Sequence, residues 1–150
     1  MTNEAVIIEL PNGGEPINFT VGDGAALEKG TILRLLEPRT VSASTGVEEV
    51  FAGIAASEKV ANDGSTTIGA YTKGIFDLKL ATNSTCQAGD LLVISGANLV
   101  AAAATVQLKT DPFGNSTGGA QRAMQSGMII GKALETGSSA EVIAVQVGIY

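Results

Sequence analysis

The chain has 150 residues and not one histidine. That removes the commonest general base and the commonest transition-metal ligand together. It has one cysteine, Cys86, so an intrachain disulfide is impossible. Tryptophan is absent and aromatics make up 4%, so any core is built from Val, Ile, Leu and Ala. No apolar run approaches the roughly 20 residues that span a bilayer as a helix. The opening "MTNEAVIIEL" has no positive region ahead of its short apolar run, which speaks against a signal peptide. Nine basic residues stand against fifteen acidic ones, for a net charge of −6. The basic residues are scattered, so no patch offers itself to a phosphate backbone, and the sequence predicts no nucleic-acid partner.

What the chain does have is glycine, 19 residues of it, and a hydrophobic content of 45%. Frequent glycine with β-branched residues and few aromatics predicts many short strands joined by tight turns. Glu4–Leu10 reads as a strand, with Asn12-Gly13 as a turn toward a second strand at Ile17–Val21. Alternatively, the first residues are a loose arm. Further strands fall at Thr31–Leu36, Val47–Ser57, Leu91–Ser95 and Leu99–Ala103. Thr66–Leu80 reads as one long strand or two joined at Gly74. Met128–Leu134 and Val142–Val147 close the chain as a hairpin. Residues 109–126 lack periodicity and read as a surface loop.

An internal echo runs through these segments. "FTVGDGAALEKGTIL" (Phe19–Leu33) matches "LKLATNSTCQAGDLL" (Leu78–Leu92), with Gly30 and Leu33 at the places of Gly89 and Leu92. The terminal hairpin matches a stretch from about Ala52 to Phe76. There Gly53, Ala55, Gly64 and Gly74 are set against Gly131, Ala133, Gly137 and Gly148. The pattern predicts an all-β domain, a small β-barrel with pseudo-repeated hairpins and little helix, occupying 14–150 after an arm or first strand at 1–13.

The chemistry that these residues permit is narrow. Serine and threonine have no histidine to activate them, and no S-x-x-K spacing is present for Lys59, Lys73, Lys79 or Lys132. The carboxylates Asp23, Glu28, Asp63, Asp77, Asp90 and Asp111 sit at turns, where acids beside glycine stabilise the turn itself. "ANDGS" and "KTDPFGNSTGG" lack the alternating acidic spacing of a calcium loop. "PNGG" and "VGDG" are not phosphate loops. Cys86 takes the place of Leu27 in the echo, as a small buried hydrophobe would. A lipoyl or biotinyl carrier would present a lysine at a hairpin tip, where neither Lys73 nor Lys79 falls. The expectation is no enzyme, no metal and no cofactor.

Taken in order, four stretches carry a resemblance. They are "GEPINFTVGDGAALEKGTIL", "FAGIAASEKVANDGSTTIGAYTKGIFDLKLA", "CQAGDLLVISGANLVAAAA" and "GMIIGKALETGSSAEVIAVQVG". Their succession resembles the head-decoration (capsid cement) proteins of tailed bacteriophages and related viruses. The resemblance covers 14–149 apart from the loop, which is longer than the family pattern. It implies a small β-barrel or β-tulip subunit, made in the host cytoplasm and assembled as a homotrimer on the outer capsid surface of the virion. There it would bridge neighbouring major capsid proteins, with no membrane involved. Within that reading Glu4, Ala5, Val6, Ile7, Ile8, Glu9 and Leu10 are the candidate contact with capsid or neighbouring subunit. The segment is β-branched and flanked by acids, and it would add to another sheet by β-augmentation. An ordinary first strand is the competing expectation for it. The competing function is a small β-barrel binding module for carbohydrate or a host surface, with Pro112–Gly119 as its contact.

Overall fold

The computed structural model describes residues 2–11, 14–103 and 126–148. The loop expected at 109–126, with Pro112–Gly119 inside it, lies outside the described residues except for its last position. The described residues hold eleven strands and no α-helix. In chain order the strands are β1 (Val6–Glu9), β2 (Ile17–Val21), β3 (Ile32–Leu36), β4 (Thr40–Ala43), β5 (Phe51–Ala55) and β6 (Thr67–Tyr71). They continue as β7 (Gly74–Leu80), β8 (Leu91–Ile94), β9 (Leu99–Ala102), β10 (Ile129–Ala133) and β11 (Val142–Val147). A 3₁₀ turn at Ser126–Met128 leads into β10. The run Thr66–Leu80 is thus two strands. They break just before Gly74, whose φ of 140° suits glycine.

The all-β class stands, and the repeat is larger than a hairpin. Strands β2-β4-β3-β5-β6 close one barrel, and β7-β11-β10-β8-β9 close a second through the β7–β9 pairing. Each barrel has the same plan. Its first strand runs parallel to the third, Thr20–Val21 beside Thr40–Val41 in one and Lys79–Leu80 beside Leu99–Val100 in the other. The second and fourth strands pair with the same irregularity. Ile32, Leu33 and Arg34 lie opposite Ile54, Gly53 and Phe51, while Leu91, Leu92 and Val93 lie opposite Lys132, Gly131 and Ile129. One residue is skipped in each, Ala52 and Ile130, so the same bulge tightens both barrels. Region 14–150, expected as one barrel, therefore holds two five-stranded ones.

The matched glycines have a physical reason. A Cβ on Gly53 would lie 2.9 Å from the Tyr71 carbonyl oxygen. One on Gly131 would run into the carbonyl oxygen of Gln146, the residue at the corresponding place. Gly30 and Gly89 both take positive φ, 91° and 97°, and each donates its N–H to the matching alanine carbonyl, Ala55 or Ala133, at 2.8 Å. Two other pairings of the echo shift. Leu27 bridges Lys59 and Cys86 bridges Gly137, so Gly137 corresponds to Lys59, not Gly64. The strand registers likewise set Gly148 against Lys73 rather than Gly74.

The first barrel encloses Val21, Leu33, Val41 and Ile68 with the small side chains of Ala52, Ala55 and Ala70. Ile32 and Ile54 point the other way and join the second barrel's core with Phe76, Leu92, Ile94 and Val145. Neighbouring residues such as Ile32 and Leu33 are both buried because opposite faces of β3 serve two cores. The seam between barrels is polar at one point. Buried Asn98 (φ 55°) accepts the Ile32 N–H on Oδ1 at 2.9 Å and donates from Nδ2 to the Thr2 carbonyl at 3.2 Å. Its own N–H donates to Ser44 Oγ at 3.2 Å, and that hydroxyl donates to the Gly96 carbonyl at 3.0 Å.

Leu92 is 0% exposed, inside the second barrel. Leu92→Asp would bury an unpaired carboxylate and is expected to cost about 3–5 kcal/mol. A shifted urea midpoint checks this; an unchanged midpoint would put Leu92 on the outer face.

Candidate functional site

Glu4–Leu10 lies along the junction of the two barrels. The expected hairpin with β2 does not form; β1 runs antiparallel to β7 of its own chain, with Val6, Ile7 and Glu9 opposite Asp77, Phe76 and Ile75. Two residues, Ile8 and Glu9, meet one on β7, a bulge that turns both outward. The inward set is Ala5, Ile7 and Leu10, which pack on the shared core. The outward set is Val6 at 60% and Ile8 at 50% exposure, with exposed Glu9 beside them and half-buried Glu4 before them. The Ala5 N–H donates to the Gly30 carbonyl at 2.8 Å, tying the segment to the first barrel as well. A cleft of about 270 Å³ remains beneath it, walled by Ala5, Ile7, Ile54 and Tyr71 with Lys29 beside them. Among the described residues β1 is the only strand with a single strand neighbour. Its bulge and flanking glutamates are devices that keep an open edge from pairing indiscriminately.

Two of the carboxylates expected at turns, Asp23 and Asp63, gather around a lysine, while Asp77 stands inside β7 and not at a turn. Lys59 is 3% exposed. Its ammonium donates to the Asp23 carbonyl at 2.9 Å, the Val60 carbonyl at 3.1 Å and Asp63 Oδ1 at 2.9 Å. Asp23 Oδ1 lies 3.8 Å away and accepts the Gly64 N–H at 2.8 Å. The Lys59 hydrogen bond, followed by the Ser65 N–H, holds the Asp63 carboxyl below its usual range. "ANDGS" is thus a turn closed over its own cation, three acceptors satisfied by one ammonium. The sequence pattern assigns Lys59 no role; its one sequence signal is the i,i+4 spacing to Asp63.

A second knot fixes the β4–β5 loop. Arg34 donates from Nη1 to Glu49 Oε1 at 2.8 Å and from Nε to Ser42 Oγ at 2.7 Å. Burial alone would raise the Glu49 carboxyl, but bonds from the Thr45 N–H and from Arg34 outweigh it and pull the carboxyl below its usual range. Cys86 is buried, and desolvation pushes its thiol up, away from a reactive thiolate. An open depression of about 480 Å³ adjoins it, with Asp90 and Glu141 on its wall. Both carboxylates are engaged in their own turns, accepting the N–H of Gln87 at 2.9 Å and of Ser138 at 2.8 Å. Among the described residues no group of three His, Cys, Asp or Glu side chains is placed to hold a metal ion.

Lys59→Met would leave the two carbonyls and Asp63 without their donor. The expected loss is about 2 kcal/mol, limited because Asp63 can still reach water; urea unfolding with an unchanged m-value checks it. Acid should act through Asp63 and Glu49. Their folded values lie below the ordinary 3.8 and 4.5, so the stability they contribute is complete above the unfolded values and is lost as pH falls through the folded ones. The melting temperature is expected to hold from about pH 7 to about pH 5 and to decline below about pH 4.5. Asp63→Asn with Glu49→Gln should flatten that decline.

Compared with known proteins, the chain matches no family model and no curated protein.

Proposed function

We propose that this protein is a structural component of a virion: a decoration protein that sits on the outer surface of a viral head as a homotrimer and bridges major capsid proteins. The observation that carries the reading is β1. Both barrels close on themselves, and among the described residues the one strand left outermost carries exposed Val6 and Ile8 between Glu4 and Glu9. An exposed strand of that kind suits main-chain pairing with a partner chain.

The rest of the architecture suits a mechanical role. The outer face of the first barrel and the N-terminal strand both pack into the second barrel's core, and the seam is pinned by Asn98 and Ser44. A rigid body loses little conformational freedom on docking. A trimer engaging equivalent sites on a shell gains avidity, so each contact can be weak.

The test is to mix the purified protein with capsids of the virus that encodes it and image them by cryo-electron microscopy. Saturable density at the three-fold positions is expected, and a rise in the capsid's disruption temperature with it. Absence of bound density at saturating protein would refute the reading.

A further inference from the structure

The repeat makes the junction between the barrels a template. On the first barrel, Ile32, Ile54 and Tyr71 form a row across β3, β5 and β6. That row is covered within the chain, and the Tyr71 ring lies 6.0 Å from the Phe76 ring of β7, tilted by 41°. The second barrel's share of the junction is Phe76, Ile94, Ser95 and Asn98. The Ile94 carbonyl accepts the Glu48 N–H at 2.9 Å, and Ser95 bridges Val47.

Each half has a counterpart elsewhere in the molecule. The registers place Leu91, Lys132 and Gln146 in the same row across β8, β10 and β11 of the second barrel. They place Ile17, Leu35 and Leu36 on the first barrel where the second has Phe76, Ile94 and Ser95. Both counterparts lie open. Leu91 is 44% exposed where Ile32 is 0%, and Leu36 is 41% and Ile17 44% exposed. A chain that keeps leucine and isoleucine at these surface positions presents two half-junctions, one at each end, that no described residue covers as the intrachain junction is covered. Opposite signs accompany them: Lys132 stands on one half, and exposed Glu37 adjoins Leu36 on the other.

We propose that these halves meet between two copies of the chain. The Ile17–Leu35–Leu36 end of one copy docks on the Leu91–Lys132–Gln146 row of the next, head to tail, in the manner of the intrachain junction. The inference deepens the decoration reading by locating its subunit contact and rests on that reading only for the number of copies. The polar pin is missing from this contact. Ser44 corresponds to Ala103 and Asn98 to Arg39, whose guanidinium lies 5.8 Å over its own Phe19 ring. The contact between copies is accordingly the weaker and reversible one. Because the two halves differ, it is heterologous.

Two substitutions at exposed positions test it without touching the core. Leu91→Asp spoils one half and Leu36→Asp the other. Each variant alone is expected to lose self-association by about tenfold or more, with an unchanged circular dichroism spectrum. Mixed together, they retain one sound half apiece and should form a one-to-one dimer and nothing larger, read by light scattering after size exclusion. A wild-type protein that stays monomeric at roughly tens of micromolar, an oligomer indifferent to Leu91→Asp, or variants that fail to pair when mixed would overturn the proposal. Capsid binding is scored separately. Wild-type protein that self-associates in this way yet leaves capsids bare would sink the decoration reading and leave the contact standing.

Discussion

Everything in this molecule depends on a seam two residues long. In each barrel the first strand must meet the third in parallel, at Thr20–Val21 beside Thr40–Val41 and at Lys79–Leu80 beside Leu99–Val100. Parallel pairing needs a crossover, here supplied by the intervening antiparallel strand, and closure removes the open edges that a five-stranded sheet would otherwise expose. Closing so few strands demands strong coiling. The shared bulge at Ala52 and Ile130, and the glycines at 53 and 131 where a neighbouring carbonyl leaves no room for a Cβ, supply it. The position of β1 follows. β7 is seven residues long and only its last two join β9, so its first half keeps a free edge that β1 fills.

Once the plan is seen twice, the differences between the copies become the informative residues. Leu27 and Cys86 are exchanged within equivalent cores, which accounts for the thiol without invoking chemistry. Lys59 and Gly137 occupy equivalent bridges, yet only the first copy has the longer turn with Asp63 to receive an ammonium. Ile54 and Lys132 share a position, buried in one copy and half-buried in the other. The first two exchanges are internal matters of packing and satisfied polar groups. The third lies on the outside and marks where the chain's own cover stops.

Much of this was legible in the sequence, and the boundary has a physical cause. Strand positions other than β4, and the matches of Gly30 with Gly89 and Leu33 with Leu92, follow from local pattern: glycine where φ is positive, apolar residues where a core is filled. The five-strand unit was hidden because its defining contact, the parallel seam, joins residues far apart and has no turn to announce it. The hairpin expected between β1 and β2 failed for the same reason. Asn12-Gly13 is a turn signal, but the apolar face of β1 finds its complement on β7. By sequence Gly64 aligns with Gly137 because glycine marks both turns, whereas the turns differ in length and the backbone bridges align Gly137 with Lys59. Lys59 was illegible because a buried lysine is recognised by its acceptors, and two of its three are main-chain carbonyls.

The candidate segment was found by the same local rules, and the fold altered its meaning. "EAVIIEL" alternates imperfectly, with three β-branched residues in succession, which in isolation reads as a sticky edge. In the structure the bulge at Ile8 and Glu9 sorts the run into two sets: Ala5, Ile7 and Leu10 complete the core, and Val6 and Ile8 remain outside. The inward set is a structural requirement, since it covers Ile54 and Phe76, so deleting the segment would damage the barrels before it reported on any partner. Only the outward set is free to vary with function. A strand that closes the core with one face and offers apolar side chains with the other couples partner binding directly to the rigidity of the junction. Under the proposed decoration role that coupling would serve mechanical support, and it would place the partner contact in Val6 and Ile8 rather than in the segment as a whole.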